Sequence, residues 1–577
     1  MRMESNYLFP AIPQLHFYPK NEHCHCTKPS TILKTSHKKI ATLEIGEFMA
    51  IETQTNCKHC QLICSEEQLR QLTPKRGKFG FDVIEYIGKA SFLNCRHEFD
   101  IQAELSRKNI SISNSEIGFL GKRFIIYLLL AHIECQAELK QHMPLKGGYI
   151  LHMDGTCEGD SPHLFSCIDE LSRIVLGNRK MLRSDSQPII PLLEDMKAAY
   201  GAPIALVHDM GRAILKAVAL VFPKVADFIC HFHFLRDRGK DLFELEYRAI
   251  HRITRSYNIR EKLNKTAKQL KTMIDDDKQL SDSLKAYLKN KQKAQAHPDK
   301  RDSVLTAYLI VTWILEAGRA CNGFGFPFDQ PHLEFYLRLQ ESNLSLERLK
   351  AKGVSGLPLV TLNKLLKDVS LETMVSRIKE QISVFETLRL AMRVACPEKK
   401  RGLNDESDED INTIKQRVKK FRSSSKLEAL ASQDTAYRKM IKQIDKYWDK
   451  LLADPIKVET PAGAIIVQPQ RTNNMMEQSF RFLKRDGRKK SGLHSMSKTL
   501  KGMLADTPLV RNLSNPDYMT TLLKGKKDLA TRFADIDIQQ VLEKEKENAN
   551  KLRKYPKRMD KVFKIPHLPQ KLMEQVL

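Results

Sequence analysis

The sequence predicts a mixed α/β protein whose central sheet is interrupted by a long all-helical insertion. Three observations carry that expectation. Residues 147–236 alternate as strand, strand, strand, helix, strand, helix, strand. From 241 to 464 the chain becomes charge-rich, with the apolar spacing of helices, as in Tyr308-Leu-Ile-Val-Thr-Trp-Ile-Leu315. Two acidic residues, Asp154 and Asp209, close apolar runs only 55 positions apart, whereas a third, Glu477, follows 268 positions later on an amphipathic helix. A sheet completed by so distant a helix needs an insertion between them.

Residues 1–20 show no periodicity and are expected to form a loose tail. Residues 21–75 carry two close thiol pairs, Cys24 with Cys26 and Cys57 with Cys60, on either side of a hairpin expected over 40–51. Thiolate pairs bracketing a hairpin are how a zinc ribbon builds a tetrahedral site without a large core, so structural Zn²⁺ is expected here. Free thiols are the alternative, and His23, His25, His59 and Cys64 are rival ligands. Cys95 and His97 offer only part of a second site.

Residues 80–140 read as helices. Ser113 followed by Glu116 is a capping-box pattern, in which each side chain satisfies a backbone N–H at the helix start. It opens an apolar helix running from Asn114 to about Cys135. Two helices joined by a short turn suit a helix-turn-helix that binds DNA; a plain helical hairpin in a core is the alternative.

In residues 147–240, the Asp154 strand is followed by strands at 164–168 and 173–176, with Gly177-Asn178 supplying a turn in or after the last of them. A helix over 189–200 stops at Gly201-Ala-Pro203, and the Asp209 strand follows. A second helix over 212–222 ends at Pro223, and a strand runs over 225–230. That order is the order of an RNase H-like domain. Residues 405–410 form an acidic island in a charged linker within the insertion. Residues 465–500 return the last helix of the core, and 501–577 read as a helical, basic tail.

Lys and Arg total 95 against 69 Asp and Glu, a net charge of +26 in 577 residues, so a polyanion is the natural partner. The longest strongly apolar run, 124–133, is far shorter than the roughly 20 residues of a spanning helix, so no membrane is expected. No N-terminal segment has the pattern of a secretory leader. Twelve cysteines are too sparse for a disulfide scaffold.

Carboxylates at the ends of neighbouring strands, joined by one from a helix, are what two-metal phosphodiester chemistry requires. Each alone has an ordinary reading: Asp before a glycine is a common turn former, and Glu477 could be any helix residue. On the Glu477 helix, Met476, Phe480 and Leu483 share a face that would pack on the sheet. Glu477, Arg481, Lys484 and Arg488 share another, flanked by Arg485, Lys489 and Lys490. These cations would hold the DNA backbone; a solvated helix face or a nuclear-targeting cluster is the alternative. Asn473 and Asn474 are expected to cap the helix.

His152-Met-Asp154-Gly-Thr156, His208-Asp209-Met-Gly-Arg-Ala213, Cys230-His-Phe-His233 and Thr472-Asn-Asn474-x-x-Glu477, in this order, resemble the cut-and-paste DDE transposases. The likeness is in particular to the Mutator-like group and related bacterial insertion-sequence transposases with an all-α insertion, and it covers roughly residues 20–500. The resemblance implies Asp154, Asp209 and Glu477 as the catalytic triad holding two Mg²⁺ or Mn²⁺ ions, with terminal inverted repeats and target DNA as substrates. It implies a dimer or larger assembly on DNA. It also carries over Cys230 and His233 as active-site support; a buried thiol and a satisfied histidine are the plainer alternative. The compartment would be the cytoplasm, on the nucleoid, or the nucleus of a eukaryotic host. Two rivals stand beside this expectation: a transposase-derived DNA-binding protein without activity, and a nuclease of the same fold that cannot join ends. No Walker-type loop is present, so ATP is not expected.

Overall fold

The computed structural model of the chain describes residues 12–19, 30–64, 66–182, 185–289, 303–395, 410–554 and 566–573. It is a mixed α/β structure. The chain divides into two compact units: residues 1–228, 455–469 and 473–577 form the first, and 229–454 with 470–472 the second.

The first unit opens with a small sheet of β1 (Gln14–Phe17), β2 (Thr31–Thr42), β3 (Gly46–Asn56) and β4 (Ile63–Cys64), in the order β1-β3-β2 with β4 also pairing with β3. The expected hairpin is present with longer strands than the apolar pattern suggested. It turns at Gly46, whose φ of +80° suits glycine. A Cβ there would also come within 2.9 Å of the Lys108 carbonyl oxygen. Cys57 is buried and Cys60 exposed. Cys24 and Cys26, on which the zinc expectation equally depends, lie outside the described residues, as do His23 and His25.

The helices Phe81–Phe92, Glu98–Arg107 and Asn114–Glu134 follow. The Ser113 hydroxyl accepts the Glu116 backbone N–H at 3.2 Å, which starts the long helix where the capping pattern placed it. Gly88 lets this helix approach Phe81–Phe92 closely, since a Cβ at Gly88 would sit 2.1 Å from the Phe124 ring. From Phe124 to His132 most of the long helix is buried. These helices share one apolar core with the large sheet and do not form a core of their own.

That sheet contains β5 (Ile150–Thr156), β6 (His163–Asp169), β7 (Val175–Met181), β8 (Ala205–His208) and β9 (Ala226–Ile229), in the order β7-β6-β5-β8-β9. β5 runs antiparallel to β6 and parallel to β8. Two details of the sequence reading change. Gly177 and Asn178 pair within β7, opposite Cys167 and Ser166. The turn lies earlier, at 170–173, where the Asp169 carboxylate accepts the backbone N–H groups of Leu171 and Ser172 at 3.1 and 3.0 Å. A short polar side chain that captures local N–H groups outcompetes a Gly-Asn pair that the neighbouring strand can hold in the sheet. Helices Ser186–Tyr200 and Arg212–Val221 connect the strands.

The C-terminal part of the first unit adds a hairpin of β10 (Ile456–Thr460) and β11 (Gly463–Val467), which the sequence reading left inside the insertion and last helix. The helix Asn474–Ser491 follows. Beyond it, the expected tail is part of the core: Leu509, Tyr518, Leu522, Phe533 and Val541 are buried in it. Their helical apolar spacing gives these helices a face that packs into the core. Asn512 finishes the outer edge of β7, accepting from the Val175 N–H at 2.8 Å and donating to its carbonyl at 2.9 Å.

The second unit is helical throughout its described residues, and it begins at the end of β9 where the sequence reading began it at 241. Its long helices include His231–Ser256, Pro331–Ala351 and Val369–Met392. Gly239 allows Pro327 and Phe385 to reach the first of these; a Cβ would lie 2.4 Å from Pro327.

Candidate active site

Asp154 is the fifth residue of β5 and is nearly buried. Its Oδ1 accepts the Gly155 N–H at 2.7 Å, which uses one oxygen and leaves the carboxylate turned at the strand end. The parallel register pairs His152 with Val207 and Met153 with His208. The register ends with Met153 opposite His208, so Asp154 and Asp209 each follow the last residue paired between these two neighbouring strands. The Asp209 Oδ1 accepts the Gly211 N–H at 3.0 Å, a turn that folds the chain into the helix Arg212–Val221.

Glu477 belongs to the helix Asn474–Ser491, which packs on β5. Met475 and Met476 of this helix are buried in the core. Phe480 packs against that core and Leu483 against Leu164, Met496 and Leu500, the apolar face expected from the sequence. The residue that sets the helix in place is Asn473. Its Nδ2 donates to the Met153 carbonyl at 3.0 Å, and its Oδ1 lies 2.9 Å from the His152 Nδ1. Since Nδ2 faces a carbonyl, Oδ1 is the acceptor, and His152 donates from Nδ1. The His152 Nε2 lies 2.9 Å from the Glu170 carboxylate.

Asn473 therefore makes no side-chain cap, contrary to expectation, because its amide is used on the strand. Glu477 stands four residues on, one helical turn above, and its N–H bonds to the Asn473 carbonyl at 3.2 Å. Positions i and i+4 share a helix face, so Glu477 stands on the same face as Asn473, one turn further along. Oxygen donors of this kind suit Mg²⁺ or Mn²⁺. Among the described residues no group of three or more His, Cys, Asp or Glu is close enough to hold a metal ion, so the side chains as placed do not form a closed cage.

The cations divide into two groups. Arg481, Lys484 and Arg488 are exposed on the side expected to carry Glu477, with Lys484 3.5 Å from Glu158. The Arg485 guanidinium lies over Phe482, 4.6 Å from the ring centre. Lys489 is exposed. Lys490 is committed inside the protein: it pairs with Glu98 at 2.9 Å and lies over the Phe92 ring.

Cys230 and His233 belong to the second unit and are both buried. β9 ends at Ile229 and Cys230 stands at the N-cap of the helix His231–Ser256, so a strand gives way to a helix between the two residues. The Cys230 carbonyl accepts the Phe234 N–H at 3.0 Å. The His97 Nδ1 accepts the Phe99 N–H at the start of its helix, and burial, then Asp486, pushes the Cys95 thiol up.

The residues missed from sequence are Glu170, Asn512 and the strand-docking role of Asn473. A polar residue directly before the Glu477 helix was visible, but its partner lies 320 positions away in the chain. Comparison of the chain with protein-family models found no match, and comparison with curated proteins found none either.

Proposed function

We propose that this chain is a DDE-type DNA transposase, which cleaves DNA at the ends of a mobile element and joins the freed 3′-hydroxyl to target DNA. The observation that carries the proposal is the parallel β5–β8 register, whose next step would set Asp154 beside Asp209, together with Asn473 docking the Glu477 helix onto the residue before Asp154. The strand order supports an RNase H-like core, and the second unit lies in the chain between the sheet and its last helix. In this reading Asp154, Asp209 and Glu477 would hold two Mg²⁺ or Mn²⁺ ions, which when bound supply Lewis acidity at the scissile phosphate. Arg481, Lys484 and Arg488 grip the DNA backbone without reading sequence. Asn473 and His152 keep the helix and strand in fixed relation, so that the carboxylates meet the phosphate at one geometry.

The same reading assigns a structural Zn²⁺ to Cys24, Cys26, Cys57 and Cys60. It assigns recognition of terminal inverted repeats to the N-terminal region, including the exposed first turns of Asn114–Glu134. A dimer or larger assembly would hold the two ends together, in the cytoplasm on the nucleoid or in a nucleus. No helix among the described residues is long and apolar enough to cross a membrane.

The test is a cleavage and strand-transfer assay in Mg²⁺ and in Mn²⁺, on DNA carrying the native element ends. Joined products from wild type, lost in Glu477→Gln while DNA binding persists, support the transposase. Cleavage without joining supports a nuclease instead, and binding without cleavage in either metal supports a DNA-binding derivative.

A further inference from the structure

A cleft of about 610 Å³ lies within the first unit, against the far end of the helix that carries Glu477. Its walls are the end of Phe81–Phe92, the first turns of Asn114–Glu134, the second half of Asn474–Ser491 and the segment 498–514. The size falls within the range of natural ligand sites.

Its lining is part apolar and part cationic. Phe92, Ile117, Ile125 and Leu504 line it. Two glycines keep this part open: a Cβ on Gly118 would meet nothing within 4 Å, and one on Gly121 would first meet Phe92 at 3.7 Å. Lys122, Arg485, Lys489, Lys498 and Arg511 supply positive charge. Two carboxylates face them. Glu98 is paired with Lys490 at 2.9 Å, and Asp486 lies 3.7 Å from Arg485 and beside the Cys95 thiol. Lys122, Lys489, Lys498 and Arg511 have no ion pair among the described residues. A concave, low-dielectric surface with such an excess focuses its field on an anion.

The cations come with aromatic surface. Both Arg485 and Arg511 lie against the Phe482 ring, at 4.6 and 4.1 Å from its centre. Arg511 is held there by a bond to the Ser479 carbonyl at 3.2 Å, and its half-burial disfavours its charge. A guanidinium kept costly and flat in a cleft gains most from a partner that offers both a phosphate and a planar face. Basic grooves with stacking surfaces of this kind bind unpaired nucleic acid strands. Phe482 to Lys489 also follow Glu477 by only 5–12 positions on one helix, roughly 8–18 Å at the helical rise.

We propose that this cleft holds a short unpaired stretch of DNA strand, with bases against the apolar surface and the arginine-covered Phe482 and phosphates on the lysines and arginines. The proposal deepens the DNA-cutting reading and takes the identity of its polyanion from it. Its test does not depend on cleavage.

The experiment compares the full chain's affinity for a blunt duplex with that for the same duplex bearing an unpaired tail of about six nucleotides, by fluorescence anisotropy. Wild type is expected to bind the tailed duplex about tenfold more tightly. Gly118→Phe, which fills the open space, is expected to abolish that advantage, read as the ratio of tailed to blunt affinity within the same variant and so independent of any change in its blunt-duplex affinity. Arg511→Gln, which removes the guanidinium charge, is expected to reduce the ratio severalfold and serves as the measure if Gly118→Phe unfolds. A tail that gives no advantage in wild type, or an advantage that survives the folded variants, overturns the proposal. A cleft-dependent tail effect in a chain that cuts no DNA overturns the nuclease and transposase readings and leaves this one standing.

Discussion

The first turn of the Asn474–Ser491 helix is held by buried contacts, and its last two turns by charge. At the start, Met475 and Met476 are in the core and Asn473 is bonded to β5. At the end, Lys490 pairs with Glu98, Arg485 lies over Phe482, and Arg481, Arg488 and Lys489 reach outward. Buried, oriented hydrogen bonds tolerate little displacement, whereas exposed cations on long stems adjust to a partner at low cost. A carboxylate that must meet a metal belongs on the first kind of support, and a grip on a phosphate backbone belongs on the second.

The sharpest break in this comparison is Glu477→Gln. Loss of the carboxylate is expected to slow metal-dependent cleavage about a thousandfold, or about 4 kcal/mol of barrier, with duplex affinity retained. A variant with wild-type cleavage rates would remove the first turn from the chemistry. Next is Asn473→Leu, which strands the Met153 carbonyl and His152 and is expected to cost about 3 kcal/mol of stability. Urea denaturation measures it, and a change below about 1 kcal/mol would mean the docking bonds contribute little net stability.

The core beneath the helix should also respond to acid. His132 is buried, within 3.0 Å of both Tyr518 and Tyr200 hydroxyls and 3.2 Å from the Leu176 carbonyl. Burial pushes its pKa down to about 4. The unfolded chain therefore binds the extra proton first, so stability is present above about pH 6.5 and is lost as pH falls toward 4. The loss between about pH 6 and pH 4.5 is expected to be about 2 kcal/mol from this group. Urea midpoints across that range check it, and His132→Gln should flatten the dependence.

The smallest effects separate the cations. Arg488→Gln is expected to leave stability within about 0.5 kcal/mol and to lower the salt dependence of duplex binding by about one phosphate contact. Lys490→Gln is expected to do the reverse, costing up to about 1 kcal/mol of stability with little change in the salt slope. Equal salt slopes for the two variants would erase the distinction between an outward grip and an internal strut.

Much of this site was legible in the chain. Asp154 and Asp209 close apolar runs that form neighbouring strands, and Met476, Phe480 and Leu483 pack as their spacing predicted. Lys490 was not separable from Lys489 by sequence, because the difference is a glutamate some 390 positions earlier. Asn473 looked like a cap for the same reason: local pattern sees the nearest unpaired N–H groups and not a carbonyl on a distant strand.

Element type and order followed from local pattern, since alternation, helical spacing and stop residues act within a few positions of one another. The segment after 500 shows where that ends. Its helices could be read from spacing, but whether their apolar face met solvent or core depended on a surface formed by residues from 81 to 222. The pairing of β5 with β8, the docking of Asn473 on Met153 and the open cleft beside Gly118 likewise depended on packing. Each requires groups far apart in the chain to be brought within a few ångströms, and only the folded core does that.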